Sequence, residues 1–283
     1  MKRILFLACF SAVIVIGGIA FQWPVEPGRL ERNFGSSVPA FQRGISFKAA
    51  EGPVLAPHKG ELVFAADGGN LPNGFPLPQG SIAAIAHDAG IISVITGIQT
   101  GSLASYRGVV EQGETIGLSP PASAGRSLLF YLYDSREKRY INPRILLPAL
   151  DDRDPPLIRS VSCLGPAGEI PLAKATTLRQ GEYFVLIDVV DIAPQGQIGA
   201  PLRLSVSMDG SERFKMEYES ISSDAGRRSL SLAEQRAEGD FLMPDGRIRL
   251  GPLTLTRGKA ALAVSAEDLA ENRRELSFSI TVQ

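Results

Sequence analysis

Leu276-Ser277-Phe278-Ser279-Ile280-Thr281-Val282 alternates apolar and small polar residues with a period of two. Successive side chains of a strand point to opposite faces, so this run puts Leu276, Phe278, Ile280 and Val282 on one side. A helix would spread the same residues around its circumference. The pattern recurs at Leu202-Arg203-Leu204-Ser205-Val206-Ser207, at Phe214-Lys215-Met216-Glu217-Tyr218 and from Ala260 to Val264. Glu182-Tyr183-Phe184-Val185-Leu186-Ile187-Asp188-Val189-Val190 adds a run rich in β-branched and aromatic residues. Several half-buried strands bounded by turn residues predict a β-sandwich. The one helix candidate in this half is Ser229 to Ala237.

Upstream, Asp151-Asp152-Arg153-Asp154-Pro155-Pro156 is a charged, proline-doubled stretch of the kind that separates domains. Before it lie short apolar runs punctuated by glycine: Pro53-Val54-Leu55-Ala56, Glu61-Leu62-Val63-Phe64-Ala65, Ser81 to Ala86, Ile91 to Ile95 and Ser127 to Tyr133. These are strand lengths, and none sustains a helical period for three turns. Both halves therefore read as strand and loop.

Composition agrees. At 283 residues the chain is long enough for about two domains of roughly 150 residues. A hydrophobic fraction of 44% with 21% charged residues excludes wholesale disorder. Twenty-nine Lys and Arg balance 30 Asp and Glu with no basic block, which excludes nucleic acid as a partner, because phosphate binding needs a basic face.

The first twenty residues have the layout of an export signal. Lys2 and Arg3 precede the apolar stretch from Ile4 to Ala20, and Gly18 and Ala20 suit signal peptidase cleavage before Phe21. An uncleaved anchor, lengthened by Phe21 to Trp23, is the alternative. A lipobox at Phe6-Leu7-Ala8-Cys9 leaves too short an apolar stretch before the cysteine. Each reading places the remainder outside the cytoplasm, in the periplasm or envelope. Of the two cysteines, Cys9 belongs to this segment, so the rest of the chain has one thiol and no internal disulfide. Cys163, in the apolar run from Leu157 to Leu164, reads as a small buried hydrophobe rather than a nucleophile.

Residues 34 to 147 carry a series of anchors in order. They are Phe34-Gly35; Gly44-Ile45; Ala49-Ala50-Glu51-Gly52-Pro53-Val54-Leu55-Ala56-Pro57-His58-Lys59-Gly60-Glu61-Leu62-Val63-Phe64-Ala65; His87-Asp88-Ala89-Gly90; Val110-Glu111-Gln112-Gly113-Glu114-Thr115-Ile116-Gly117; and Ile141-Asn142-Pro143. As a set they resemble the lysostaphin/LytM-type zinc endopeptidases of bacterial cell walls. The resemblance implies an all-β chain. A LytM-like β-sheet domain of the duplicated hybrid motif type covers 21–150, behind the signal peptide or membrane anchor at 1–20. A linker at 151–156 leads to the sandwich at 157–283.

That family holds one zinc through His-x-x-x-Asp and the second His of His-x-His, with two further histidines assisting the attacking water. Carried over position by position, the first His falls on Gln42 and the Asp on Ser46. An assisting His falls on Gly97, and the His-x-His pair on Ser127 and Leu129. Catalytic zinc needs three N, O or S ligands and an open water position. Gln and Ser are weak neutral donors, and Leu has no lone pair. His58 and His87, the two histidines of the chain, match no ligand position and read as surface or structural residues. Leu129, beside Leu128 and Phe130, reads as an apolar refilling of the former cleft. The expectation is therefore no catalytic, cofactor or metal site of the family's kind, and no enzyme.

Other chemistry is absent too. No phosphate loop, Gly-x-Ser-x-Gly elbow or EF-type calcium loop occurs. The second half resembles a bacterial immunoglobulin-like module. The resemblance rests on Asp154-Pro155-Pro156-Leu157-Ile158 at its entry and on Val264-Ser265-Ala266-Glu267-Asp268-Leu269-Ala270-Glu271-Asn272 before its last strand. Glu271 stands where such turns carry glycine. The resemblance to related modules offers calcium at Asp188, Asp191 and Asp268 as an alternative; turn capping by the same side chains is the favoured reading. The function implied is a non-catalytic envelope protein that binds peptidoglycan or an envelope protein such as a cell-wall hydrolase. An active peptidase with a divergent ligand set and a structural spacer are the alternatives.

Overall fold

The structure is a computed structural model. It describes residues 20–36, 42–68, 80–104, 108–194, 196–224, 227–232, 236–237 and 241–283. The leader, residue 20 excepted, lies outside them. No helix among the described residues is long and apolar enough to cross a membrane.

The chain is all-β. In the first half the strands are β1 (Leu30–Arg32), β2 (Ile45–Lys48), β3 (Gly52–Leu55), β4 (Gly60–Ala66) and β5 (Ser81–Ala86). They continue with β6 (Ile91–Ile98), β7 (Val109–Val110), β8 (Thr115–Ser119), β9 (Ser127–Asp134) and β10 (Arg139–Ile141). The second half contributes β11 (Leu157–Gly165), β12 (Gly168–Pro171), β13 (Ala175–Leu178), β14 (Gly181–Ile192), β15 (Ile198–Gly199) and β16 (Arg203–Met208). It ends with β17 (Ser211–Asp224), β18 (Arg227–Leu232), β19 (Arg236–Ala237), β20 (Ile248–Leu255), β21 (Gly258–Glu267) and β22 (Arg273–Val282). Short 3-10 turns such as Pro143–Ile145 punctuate them.

β9 is the hub of the first half. Its apolar residues Leu128, Phe130 and Leu132 are buried, while Ser127, Leu129, Tyr131 and Tyr133 between them are half-buried. One edge of β9 pairs with β6. The other is shared by β2, against Ser127 to Phe130, and β10, against Leu132 to Asp134. Ile45 and Phe47 of β2, Ile85 of β5 and Ile95 of β6 complete the core on the buried side. Each such side chain contributes about 1.5–3 kcal/mol by leaving water.

In the second half, β22, β21, β16 and β17 form one layer and β11, β14 and β20 the other. The alternation read from the sequence is the core pattern: Phe278, Ile280 and Val282, with Leu204 and Val206, face the same core as Val161, Val185 and Leu250. Cys163 is fully buried among them. Burial pushes its thiol up to about 11, so it packs as an apolar side chain.

One segment differs from what the sequence suggests. The described residues of Ser229 to Ala237 are not helical: 229–232 belong to β18, which pairs with β17, and 236–237 form β19, which pairs with β18. Nine residues nucleate a helix poorly, and Arg-Ser-Leu-Ser-Leu has the two-residue period that suits a neighbouring strand. The turn before β22 keeps its left-handed residue, since Glu271 adopts φ 66°. Asp268 offsets that strain, because its Oδ1 accepts from the backbone N–H groups of Ala270 at 2.8 Å and Asn272 at 2.9 Å.

The halves share a backbone ladder. Arg139, Tyr140 and Ile141 of β10 pair with Ser222, Ile221 and Ser220 of β17, so one 15-stranded sheet runs through both. Asn142 continues the seam. Its N–H donates to the Glu219 carbonyl at 2.8 Å, and its buried Nδ2 to the Tyr218 carbonyl at 3.1 Å. The stretch 151–156 carries no strand, but Asn272 Nδ2 donates to the Asp152 carbonyl at 3.1 Å and ties it to the last hairpin. Asn142→Ala leaves the Tyr218 carbonyl unpaired in a dry site. It should cost about 1–3 kcal/mol, read as a lower denaturant midpoint; an unchanged midpoint would mean the seam is solvated.

Candidate functional site

Pairing of β2 with β9 sets Ser46 opposite Leu129 and Lys48 opposite Ser127. Paired residues share a face, so these four lie together on the side away from the core. β1 lies along the outer edge of β2, with Arg32 opposite Ser46. A register shift between Leu30 and Arg32 accompanies Glu31's reach to Ser127, whose hydroxyl donates to Glu31 Oε2 at 2.6 Å. Ser46 Oγ and Gln42 Nε2 are buried and without a hydrogen-bond partner. Further along, Tyr131 and Tyr133 flank Tyr140 at ring separations of 6.2 and 5.2 Å, and the Arg43 guanidinium lies 5.3 Å from the Tyr140 centroid.

Leu129 does not fill a cleft together with Leu128 and Phe130. It is half-buried on the open face, while those two point into the core. The expectation failed because strand neighbours face opposite ways. What covers the Ser127 end of this face is the charged strand β1. Gly97 is closed to any side chain: a Cβ would lie 2.5 Å from the Ser127 carbonyl oxygen, and φ is +83°.

These residues do not fit zinc. Ser46 and Ser127 offer neutral hydroxyls, Leu129 and Gly97 offer nothing, and Glu31 is engaged by Ser127. The histidines lie elsewhere, packed against each other at 5.8 Å with Phe21 against both. Nδ1 of His87 faces the Lys59 carbonyl at 2.8 Å, so it carries the proton; Nε2 then accepts from Ser93 Oγ at 2.8 Å. Burial lowers the His87 pKa, which keeps the ring neutral. With both ring nitrogens engaged, His87 is structural.

Among the described residues, one group of acids could hold a cation: Asp152, Asp191 and Asp268, whose carboxylate oxygens lie within 4.8 Å of one another. Such an all-oxygen set suits a hard ion such as Ca²⁺ rather than zinc. The alternative of calcium at Asp188, Asp191 and Asp268 differs from this cluster, because Asp188 faces Arg159 at 3.7 Å. Asp152, from the linker, stands in its place. Asp268 caps the β21–β22 turn, and Arg144 from the first half supplies countercharge. Asp191 Oδ1 is buried without a partner. Burial first, then the Asp268 and Asp152 carboxylates, push the Asp191 carboxyl up to about 7. No periodicity in the sequence signals this cluster, whose members are far apart along the chain.

Comparison with known proteins adds the following. A protein-family model matches residues 155–283. No curated protein matches the chain. Similarity to solved structures is partial. Helicobacter pylori Csd3 is 20% identical with a TM-score of 0.36, over 48% of this chain and 35% of that one. The chain thus spans about a third of the Csd3 chain. The catalytic domain of the prophage-encoded M23 protein EnpA from Enterococcus faecalis is 17% identical with a TM-score of 0.31, over 41% of this chain and 88% of that one. A chain of the SpoIIQ–SpoIIIAH pore-forming complex is 16% identical with a TM-score of 0.31, over 41% and 84%.

Gly97→Ala should cost about 1–3 kcal/mol or more, measured as a fall in Tm; an unchanged Tm would mean that β6 and β9 stand further apart than described. Asp191 sets a pH dependence. Its folded pKa lies above the unfolded value of 3.8, so the folded state binds the proton more tightly. Stability is then lost as pH rises from 3.8 through about 7. Asp191→Asn should raise Tm at pH 8, with the gain shrinking as pH falls toward 4. A gain that does not vary with pH would show that this carboxyl titrates normally.

Proposed function

We propose that this chain is an exported, non-catalytic envelope protein whose first half is a degenerate LytM-like domain that recognises cell-wall material. The observation that carries the reading is the donor chemistry of the β2–β9 face. Where the resemblance puts the zinc ligands, the chain has Gln42, Ser46 and Leu129; where it puts the assisting histidines, it has Ser127 and Gly97, and Gly97 has no room for a histidine. Such a face cannot lower the pKa of a bound water, yet it keeps a sheet surface with tyrosines and a guanidinium suited to holding a polymer. Retention by peptidoglycan is the leading form of this reading, and control of a wall hydrolase is the other partner class.

The test uses the purified full chain, zinc analysis and isolated sacculi. The chain should pellet with sacculi, carry far less than one zinc per molecule and release no peptide that a chelator suppresses. Stoichiometric zinc with chelator-sensitive release would overturn the non-catalytic reading. Failure to pellet, with no hydrolase captured from an envelope extract, would leave a structural spacer.

A further inference from the structure

Residues 20–25 follow the apolar leader and enter the body of the first half without slack. Gln112 Nε2 donates to the Ala20 carbonyl at 3.0 Å. Phe21, 2% exposed, packs against His58 and His87. The Gln22 amide donates to the Pro57 carbonyl at 2.7 Å, the Leu55 amide to the Pro24 carbonyl at 2.8 Å, and Val25 is buried. We infer that residues 1–20 stay attached as a membrane anchor and that the β4–β7 edge of the first half rests in the headgroup layer of the bilayer. The inference rests on the proposed function only for export.

The length of the leader favours an anchor over a cleaved signal. Ile4 to Ala20 is longer than the roughly 7–15 apolar residues at the heart of a signal peptide, and it reaches the lower end of the about 17–25 that span a bilayer. Phe21 does not lengthen it, because that ring is committed to the body. The Ala20–Phe21 bond adjoins a buried side chain, so it is closed to a peptidase once the first half has folded. With no spacer after Ala20, the body of an anchored chain meets the lipid surface directly.

The surface beside this exit is apolar. Val109, three residues before Gln112, is 63% exposed, and Val63 and Phe64 of the neighbouring β4 are 52% and 43% exposed. β7 pairs only with Gly60 and Glu61, so from Val63 onward the outer edge of β4 meets no strand among the described residues. Exposed apolar side chains gathered at one place mark a contact surface. On an unpaired strand edge they suit the headgroup layer, where water still reaches the backbone amides; the hydrocarbon core would leave those amides unsatisfied. The exposed Glu61 and the ion pair of Lys59 with Glu111 at 2.7 Å supply charge at the same level. β13 lies at the opposite end of the strand order, in the second half.

The test uses the full chain and its single tryptophan, Trp23. Intact mass is measured on chain recovered from the envelope of the cells that make it. Tryptophan emission is measured on full chain reconstituted in phosphatidylcholine–phosphatidylglycerol vesicles, with and without brominated acyl chains. The mass should be that of the whole chain, and brominated lipid should remove most of the Trp23 emission. In a Trp23→Phe background, Val109→Trp should be quenched as strongly, and Thr177→Trp, exposed on β13, should keep its emission. A mass lacking residues 1–20, unquenched Trp23, unquenched Val109→Trp, or equal quenching at both introduced positions would each overturn the inference. The first two readings use the wild-type chain and do not depend on how the variants fold. A cleaved leader with sacculus binding intact would remove the anchor and spare the proposed function. An anchored chain that, solubilised in detergent, fails to pellet with sacculi would do the reverse.

Discussion

The ladder from β9 through β10 into β17 is the constraint on which the remaining geometry rests. β9 is paired from Leu129 to Asp134 on one side by β6, and on the other by β2 and then β10. β10 is three residues long, yet it hydrogen-bonds to both halves at once. A seam of backbone bonds tolerates no sliding, because a shift of one residue turns every side chain to the wrong face. Asn142 extends the seam with two further bonds to the second half. A spacer held by its linker alone would swing freely; this one is fixed by register.

That rigidity has chemical consequences on both sides of the seam. On the first half's open face, register places Ser46, Lys48, Ser127 and Leu129 together, where β1 covers part of them. That face carries hydroxyls, an apolar side chain and a lysine, with a carboxylate drawn in from β1. Glu31 and Ser127 satisfy each other, and neither is left to serve a metal. The steric closure at Gly97 points the same way, since β6 approaches β9 closely enough to exclude a side chain.

At the junction the rigid docking concentrates charge that neither half holds alone. Asp152 comes from the linker, Asp191 from the end of β14, Asp268 from the last hairpin and Arg144 from the first half. Three carboxylates against one guanidinium repel, and burial raises the cost, so one of them keeps its proton toward neutrality. A cleft lies at the same junction, lined by residues of both halves.

The all-β class was legible in the chain itself. A strand's two-residue period is local, so runs such as Leu276 to Val282 declare their buried face without knowing their neighbours. That Ser46, Ser127 and Leu129 carry neither imidazole nor carboxylate was equally legible, because ligand chemistry belongs to the side chain. The Ser229 to Ala237 segment was misread, since a short stretch takes its conformation from the strand it meets. What faces what had to await the tertiary structure. The pairing of Glu31 with Ser127, the substitution of Asp152 for Asp188 in the acidic cluster, the stacking of His58 and His87 on Phe21 and the cleft itself all join residues distant in sequence. Such contacts depend on long-range register, which is decided by the sum of all pairings and is written in no single stretch of sequence.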